Sequence, residues 1–265
     1  MKKALIPLCV FFAACSSHVS KSDIKTDTPC STVVQGKLFT SIFQQKAAEY
    51  RALCYQAYNI ATFRIDTYRP LTNKPLAVVT DLDETTFDNS PYQIREGLKG
   101  KDFEPSTWAE WTALGVADTL AGSVSFFKFA ASKGVEVFYV TNRDKRDYQG
   151  TLQNLKHYGF PYADSAHLII RQNVSSKEVR RQALEMKYEI ALLIGDNLSD
   201  FSSLFDSKTM AERRKNTDAE SNLFGYRYIM LPNSTYGDWE PALYGKKGLT
   251  LAQKDSVIRA IGVGF

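Results

Sequence analysis

Five short apolar runs recur from residue 76 onward: Leu76–Thr80, Val135–Val140, His167–Ile170, Ile190–Ile194 and Tyr226–Leu231. Each is short enough, and apolar enough throughout, to be a strand covered on both faces. The stretches between them have helical spacing. Leu120–Ser132 stops at Gly134, Tyr148–Tyr158 stops at Gly159, and Ser175–Met186 opens on Ser175-Ser176-Lys177-Glu178, an N-cap followed by an early acid. Alternating strands and helices predict an α/β fold: a Rossmann-like parallel sheet with helices on both faces. Upstream, Phe39, Ile42, Phe43, Ala47, Tyr50, Leu53, Cys54, Ala57 and Ile60 fall near a helical repeat. They predict one helical stretch from Gly36 to Tyr68, closed by Pro70 and Asn73.

The first residues read differently. Met1-Lys2-Lys3 is a positive start, and Ala4–Ala14 is apolar but too short to span a bilayer. Small residues before Cys15, in Phe12-Ala13-Ala14-Cys15, have the form of a lipobox. The expectation is a signal peptide over 1–14, a lipid anchor at Cys15 and a flexible tether over 15–35 rich in Ser, Thr, Lys and Asp. That would place the protein in the bacterial cell envelope, as an outer-membrane lipoprotein anchored to the membrane rather than spanning it. Cys30 and Cys54 remain; a disulfide between them and a buried free thiol at Cys54 both fit the pattern.

Composition narrows the class. The chain of 265 residues is 44% hydrophobic and 23% charged, ordinary for a globular protein, and its length allows one large domain, or one domain with a cap, over residues 36–265. A net charge of +4 with no long Lys/Arg run gives no footprint for a nucleic-acid polymer. The oligomeric state stays open, a homodimer included.

Candidate chemistry sits where the apolar runs end. In parallel sheets, ligands bind at the carboxyl ends of strands. Three of the runs lead into Asp81, Thr141 and Asp196. Carboxylates there are costly unless partnered, and a metal ion would be a partner. In an extended chain Asp81 and Asp83 point to the same side. One can attack while the other shuttles a proton, an arrangement suited to phosphoryl transfer with Mg²⁺.

Asp81-Leu82-Asp83-Glu84-Thr85, Val140-Thr141-Asn142-Arg143, Lys177 and Gly195-Asp196-Asn197-Leu198-Ser199-Asp200-Phe201 resemble, in order, the four motifs of the haloacid dehalogenase (HAD) superfamily. Asn89-Ser90-Pro91-Tyr92 and Pro232–Glu240 add a finer resemblance to bacterial class C acid phosphatases, including the lipoprotein e(P4) type. One departure stands in the third motif, where Val174 replaces a second Lys that the family often carries. The resemblance implies an HAD-like phosphatase domain with a small, mainly helical cap inserted at about 86–118. It implies an acid phosphatase or 5′-nucleotidase acting on small phosphate monoesters through an aspartyl-phosphate. Asp81 would be nucleophile, Asp83 general acid/base, and Lys177 the catalytic cation that neutralises the transferring phosphoryl group. Mg²⁺ would be held by Asp81, the Asp83 carbonyl and Asp196, with Asp200 and Asn197 behind these ligands. Thr141, Asn142 and Lys177 would bind the phosphoryl group. Among the aromatics, Trp108, Tyr236 and Tyr92 would stack on a nucleobase, making nucleoside monophosphates, nicotinamide mononucleotide included, the expected substrates. A phosphatase for sugar or protein phosphates, and a non-catalytic ligand-binding or adhesion lipoprotein, are the alternatives.

Overall fold

The computed structural model describes residues 31–246 and 248–264. The expected signal peptide, Cys15 and Cys30 lie outside the described residues. No described helix is long and apolar enough to cross a membrane.

Helix α1 (Thr32–Lys46) begins inside the segment expected to be tether. Val33 and Val34 are buried, and Asp255 accepts hydrogen bonds from the Ser31 hydroxyl at 2.8 Å and the Val33 N–H at 3.0 Å. Two valines among polar neighbours do not stand out as a periodic pattern, but they are enough to dock the first turn. The single helix expected over Gly36–Tyr68 is two. Ala47 adopts an extended conformation (φ −79°, ψ 130°) between α1 and α2 (Ala48–Asp66), with neither Gly nor Pro to signal the break. Cys54, in α2, is a buried free thiol.

Then the alternation sets in. Strand β1 (Leu76–Thr80) leads to β2 (Phe87–Asp88), helices α3 (Ser90–Leu98) and α4 (Pro105–Leu114), and β3 (Asp118–Thr119). Next come α5 (Ser123–Ser132), β4 (Glu136–Val140), α6 (Tyr148–His157) and β5 (Leu168–Ile169). The chain closes with α7 (Glu178–Glu185), β6 (Glu189–Gly195), α8 (Met210–Ala219), β7 (Tyr228–Met230), α9 (Trp239–Tyr244) and α10 (Leu251–Ile261). Five strands form one parallel sheet in the order β5-β4-β1-β6-β7. Side chains alternate faces as the pleat requires. Val78 packs with Tyr58, Phe127 and Tyr139 on one side, while Ala77 and Val79 pack with Phe138 and Phe201 on the other.

The chain runs from β1 outward to β4 and β5, then crosses back to β6 and β7. The strand order therefore reverses between β1 and β6, whose ends carry Asp81 and Asp196. β2 and β3 form a separate antiparallel pair, Phe87 opposite Thr119 and Asp88 opposite Asp118. α3 and α4 lie between them in sequence, which makes that pair the stem of the cap. One helix start differs from expectation. α7 opens at Glu178, not Ser175, and leaves Lys177 at its capping position.

Candidate active site

Asp81, Asp196 and Asp200 each bring a carboxylate oxygen within 4.8 Å of the others, and all three are buried. Each is placed by a different piece of backbone. Asp81 follows β1, and its N–H donates to the Ile194 carbonyl at 2.9 Å, tying it to β6. Asp196 directly follows β6. Asp200 closes a short 3₁₀ turn in which its carboxylate accepts the Asn197 N–H at 3.0 Å. Gly195 is needed there: a Cβ on it would lie 2.3 Å from the Asp200 carboxylate. Asp200, expected behind the metal ligands, is thus a member of the cluster itself.

Lys177 is the cation that reaches this cluster. Its ammonium pairs with Asp81 and, at 2.7 Å, with Asp200. Three carboxylates against one ammonium leave two negative charges over in a buried site. Burial pushes the Asp81 carboxyl up to about 7, with Lys177 opposing and Asp200 and Asp83 adding to the rise. Burial, then Asp200 and Asp81, push Asp196 well above the usual carboxylate range. For Lys177, burial acts to lower the pKa, but Asp200 and Asp81 hold it above its ordinary value. A set of carboxylate oxygens with an unmet charge of −2 fits a hard divalent cation.

Asp83 is held apart from that cluster. Arg143 clamps it, with Nη2 at 2.7 Å from Oδ1 and Nε at 3.0 Å from Oδ1, and Asn89 Nδ2 donates to it at 2.9 Å. Arg143 is itself buried and anchored on Thr151 Oγ1 at 2.9 Å. No role attaches to Arg143 in the sequence reading, because a residue's partner 60 positions away leaves no local pattern. Asn233, likewise, donates to Asp196 Oδ2 at 2.7 Å, and Thr85 to its Oδ1 at 3.2 Å.

The residues expected to bind phosphate separate. Asn142 is exposed and lines the cleft, its Oδ1 accepting from Arg180 Nη2 at 2.7 Å. Thr141 is fully buried and does not line the cleft; its hydroxyl accepts the Arg143 N–H at 3.1 Å. Lys177 lines the cleft floor, and Asn197 its side.

The cleft above the carboxylates has a volume of about 1050 Å³. Phe103 and Trp108, whose rings lie 6.0 Å apart, line it together, and Tyr236 lines it from a separate segment after β7. Tyr92, expected among the stacking residues, is instead buried beneath the wall those two rings form. It is 1% exposed, its ring lies 5.0 Å from Trp108, and its hydroxyl accepts the Glu104 N–H at 3.1 Å. An aromatic at the start of a cap helix has no pattern that separates core from wall; packing against Phe103 and Trp108 decides it. Tyr236 is fixed from below by its hydroxyl, which donates to the buried Glu84. Burial, then Asp83, raise the Glu84 carboxyl to about 8.

A family model described as HAD superfamily, subfamily IIIB (Acid phosphatase), matches residues 11–239. The class C acid phosphatase of Bacillus anthracis superposes with a TM-score of 0.84 at 36% identity, over 88% of this chain and 99% of that one. A structure of the same protein with tungstate bound gives equal values. Acid phosphatase 1 of Solanum lycopersicum is 27% identical over 165 residues, 60% of this chain and 57% of that protein. The stem 31 kDa glycoprotein of Glycine max is 28% identical over 125 residues, 45% of this chain and 49% of that protein. The chain thus spans about half the length of these two curated relatives.

Proposed function

The chain belongs to the HAD superfamily, subfamily IIIB, the acid phosphatases, and from that membership we propose that it hydrolyses small phosphate monoesters at the Asp81 cleft. The observation that carries this reading is the buried trio Asp81, Asp196 and Asp200 at the strand-order reversal, with Lys177 alone among them. Mg²⁺ would be held by Asp81, Asp196 and the Asp83 carbonyl, with Asp200 in reach, and would supply positive charge against the oxygens of a transferring phosphoryl group. Tungstate bound by the Bacillus anthracis relative, a tetrahedral oxyanion like phosphate, supports a site for such a group.

The chain's own residues account for the remaining steps. An Asp81 carboxylate oxygen attacks phosphorus, and the bond from phosphorus to the ester oxygen breaks. Asp83, aimed by Arg143 and Asn89, gives its proton to the leaving oxygen, releasing the alcohol. Water then attacks the phosphorus of the Asp81 acyl phosphate, Asp83 takes its proton, and phosphate leaves with Asp81 restored. Lys177 and Asn142 offer donors to the phosphoryl oxygens.

The walls favour an ester with a flat ring, and a nucleoside 5′-monophosphate is the substrate class we assign. Phe103, Trp108 and Tyr236 offer faces that any base could stack on. We further assign the chain to the cell envelope, held by lipid on Cys15, on the strength of Phe12-Ala13-Ala14-Cys15 after a short apolar run.

One fractionation experiment tests both assignments. Cells making the wild-type chain should release phosphate from adenosine monophosphate in the membrane fraction, and chelation should stop it. Asp81→Asn should lose at least about 10³-fold in turnover while staying in that fraction; Cys15→Ala should keep turnover and leave it. Undiminished turnover in Asp81→Asn sinks the nucleophile assignment, and undiminished attachment of Cys15→Ala sinks the anchor.

A further inference from the structure

Four charged side chains at the rim of the cleft close a ring. Lys37, from α1, donates to Asp102 Oδ1 at 2.8 Å and Glu240 Oε2 at 2.9 Å. Lys254, from α10, donates to Asp102 Oδ2 at 2.7 Å and Glu240 Oε1 at 3.4 Å. All four line the cleft, and their side chains are between 10% and 20% exposed. Such half-buried, multiply bonded pairs are screened less than isolated surface pairs.

The two acids belong to different elements, each carrying a cleft aromatic close by. Asp102 lies on the loop between α3 and α4 and accepts the N–H of its neighbour Phe103 at 2.8 Å. Glu240 lies in α9, and its N–H donates to the Gly237 carbonyl at 3.0 Å, one residue after Tyr236. Two carboxylates alone would push the walls apart; two shared ammoniums hold them at a set separation. Burial by itself would raise the Asp102 carboxyl, yet Lys37 and Lys254 bring it down to about 2, so Asp102 keeps its charge above that range.

We propose that the ring Lys37–Asp102–Lys254–Glu240 sets the spacing between the Phe103 wall and the Tyr236 wall, and so selects esters whose leaving alcohol carries a flat ring. The inference rests on the phosphatase reading above and deepens it. The four are positioning residues, which act through the aromatic walls and do not touch the reacting atoms. The ring thus ties α1 and the C-terminal helices α9 and α10 to the loop that carries Phe103.

The test compares two substrates of unlike bulk, adenosine monophosphate and glycerol phosphate, with Mg²⁺ present. Asp102→Asn and Lys254→Met should each raise KM for adenosine monophosphate by roughly fivefold, with kcat and both constants for glycerol phosphate within about twofold. Lys254→Arg should keep the wild-type KM for both. Equal changes for the two esters, or none for either, overturn the inference while leaving the phosphatase reading intact. Loss of turnover on both esters in both variants also overturns it, because the ring would then hold the fold rather than the cleft. A wild-type chain that hydrolyses neither ester removes the phosphatase reading and this inference together.

Discussion

At the scale of single residues, identity and location came apart. Asp81 and Asp196 stand where their apolar runs end, so the sequence alone brought them to one sheet edge. Asp200 differs. It lies four residues beyond Asp196, and only the 3₁₀ turn capped by Asn197 swings its carboxylate back into the cluster. Asp200→Asn removes one of three negative charges and one of the two partners of Lys177. Mg²⁺ affinity, read by calorimetric titration, should fall roughly ten- to a hundredfold, the range for groups that support a metal site. Unchanged affinity would show that Asp200 serves Lys177 alone. Asp83 teaches the converse lesson: its place in the motif is plain, but its clamp, Arg143, is visible only as a contact.

Among the elements, the strands were legible because each is apolar through its buried stretch. The cap was less so. β2 and β3 are two residues each, too short for any period, and what docks the cap is a close approach of helices. In α6, a Cβ on Gly150 would lie 2.0 Å from the Thr112 carbonyl oxygen of α4. Ala in a helix interior is favoured over Gly by about 1 kcal/mol. Here the obstacle is backbone, which does not give way as a flexible side chain would. Gly150→Ala should therefore destabilise the fold, by about 1–3 kcal/mol in urea unfolding. A gain in stability would mean that α4 and α6 are not held in contact. The break at Ala47 was illegible for a related reason: it reflects where α1 must turn to reach α3 and α10, not any local preference of Ala.

For the whole molecule, the buried acids link stability to pH and to the cation. Asp81 has an ordinary value of 3.8 and is raised to about 7, and Glu84 goes from 4.5 to about 8. The folded chain therefore holds protons that the unfolded chain gives up in this window. Without metal, the stability these two groups contribute is fully present below pH 3.8 and is lost as pH rises through about 7 to 8. Asp102, lowered to about 2, acts in the opposite sense but only in stronger acid. A cation at the carboxylates favours their charged forms and reverses the trend. The thermal midpoint of the metal-free chain should fall from about pH 5 to pH 8, and added Mg²⁺ should raise it more at the upper end than at the lower. Equal Mg²⁺ shifts at both ends would contradict a site built on proton-holding carboxylates.

Taken by itself, the sequence determined the class of fold, the strands of the main sheet and which of their ends carry carboxylates. Those features repeat over a few residues, and burial on one or two faces writes them directly into the order of apolar and polar side chains. Tertiary structure decided everything that depends on who meets whom: Arg143 on Asp83, Asp200 beside Asp196, Tyr92 under the wall rather than in it, and Lys37 on Glu240 across 203 positions. Pairing of that kind is a matter of distance in space, and a one-dimensional period carries no record of it.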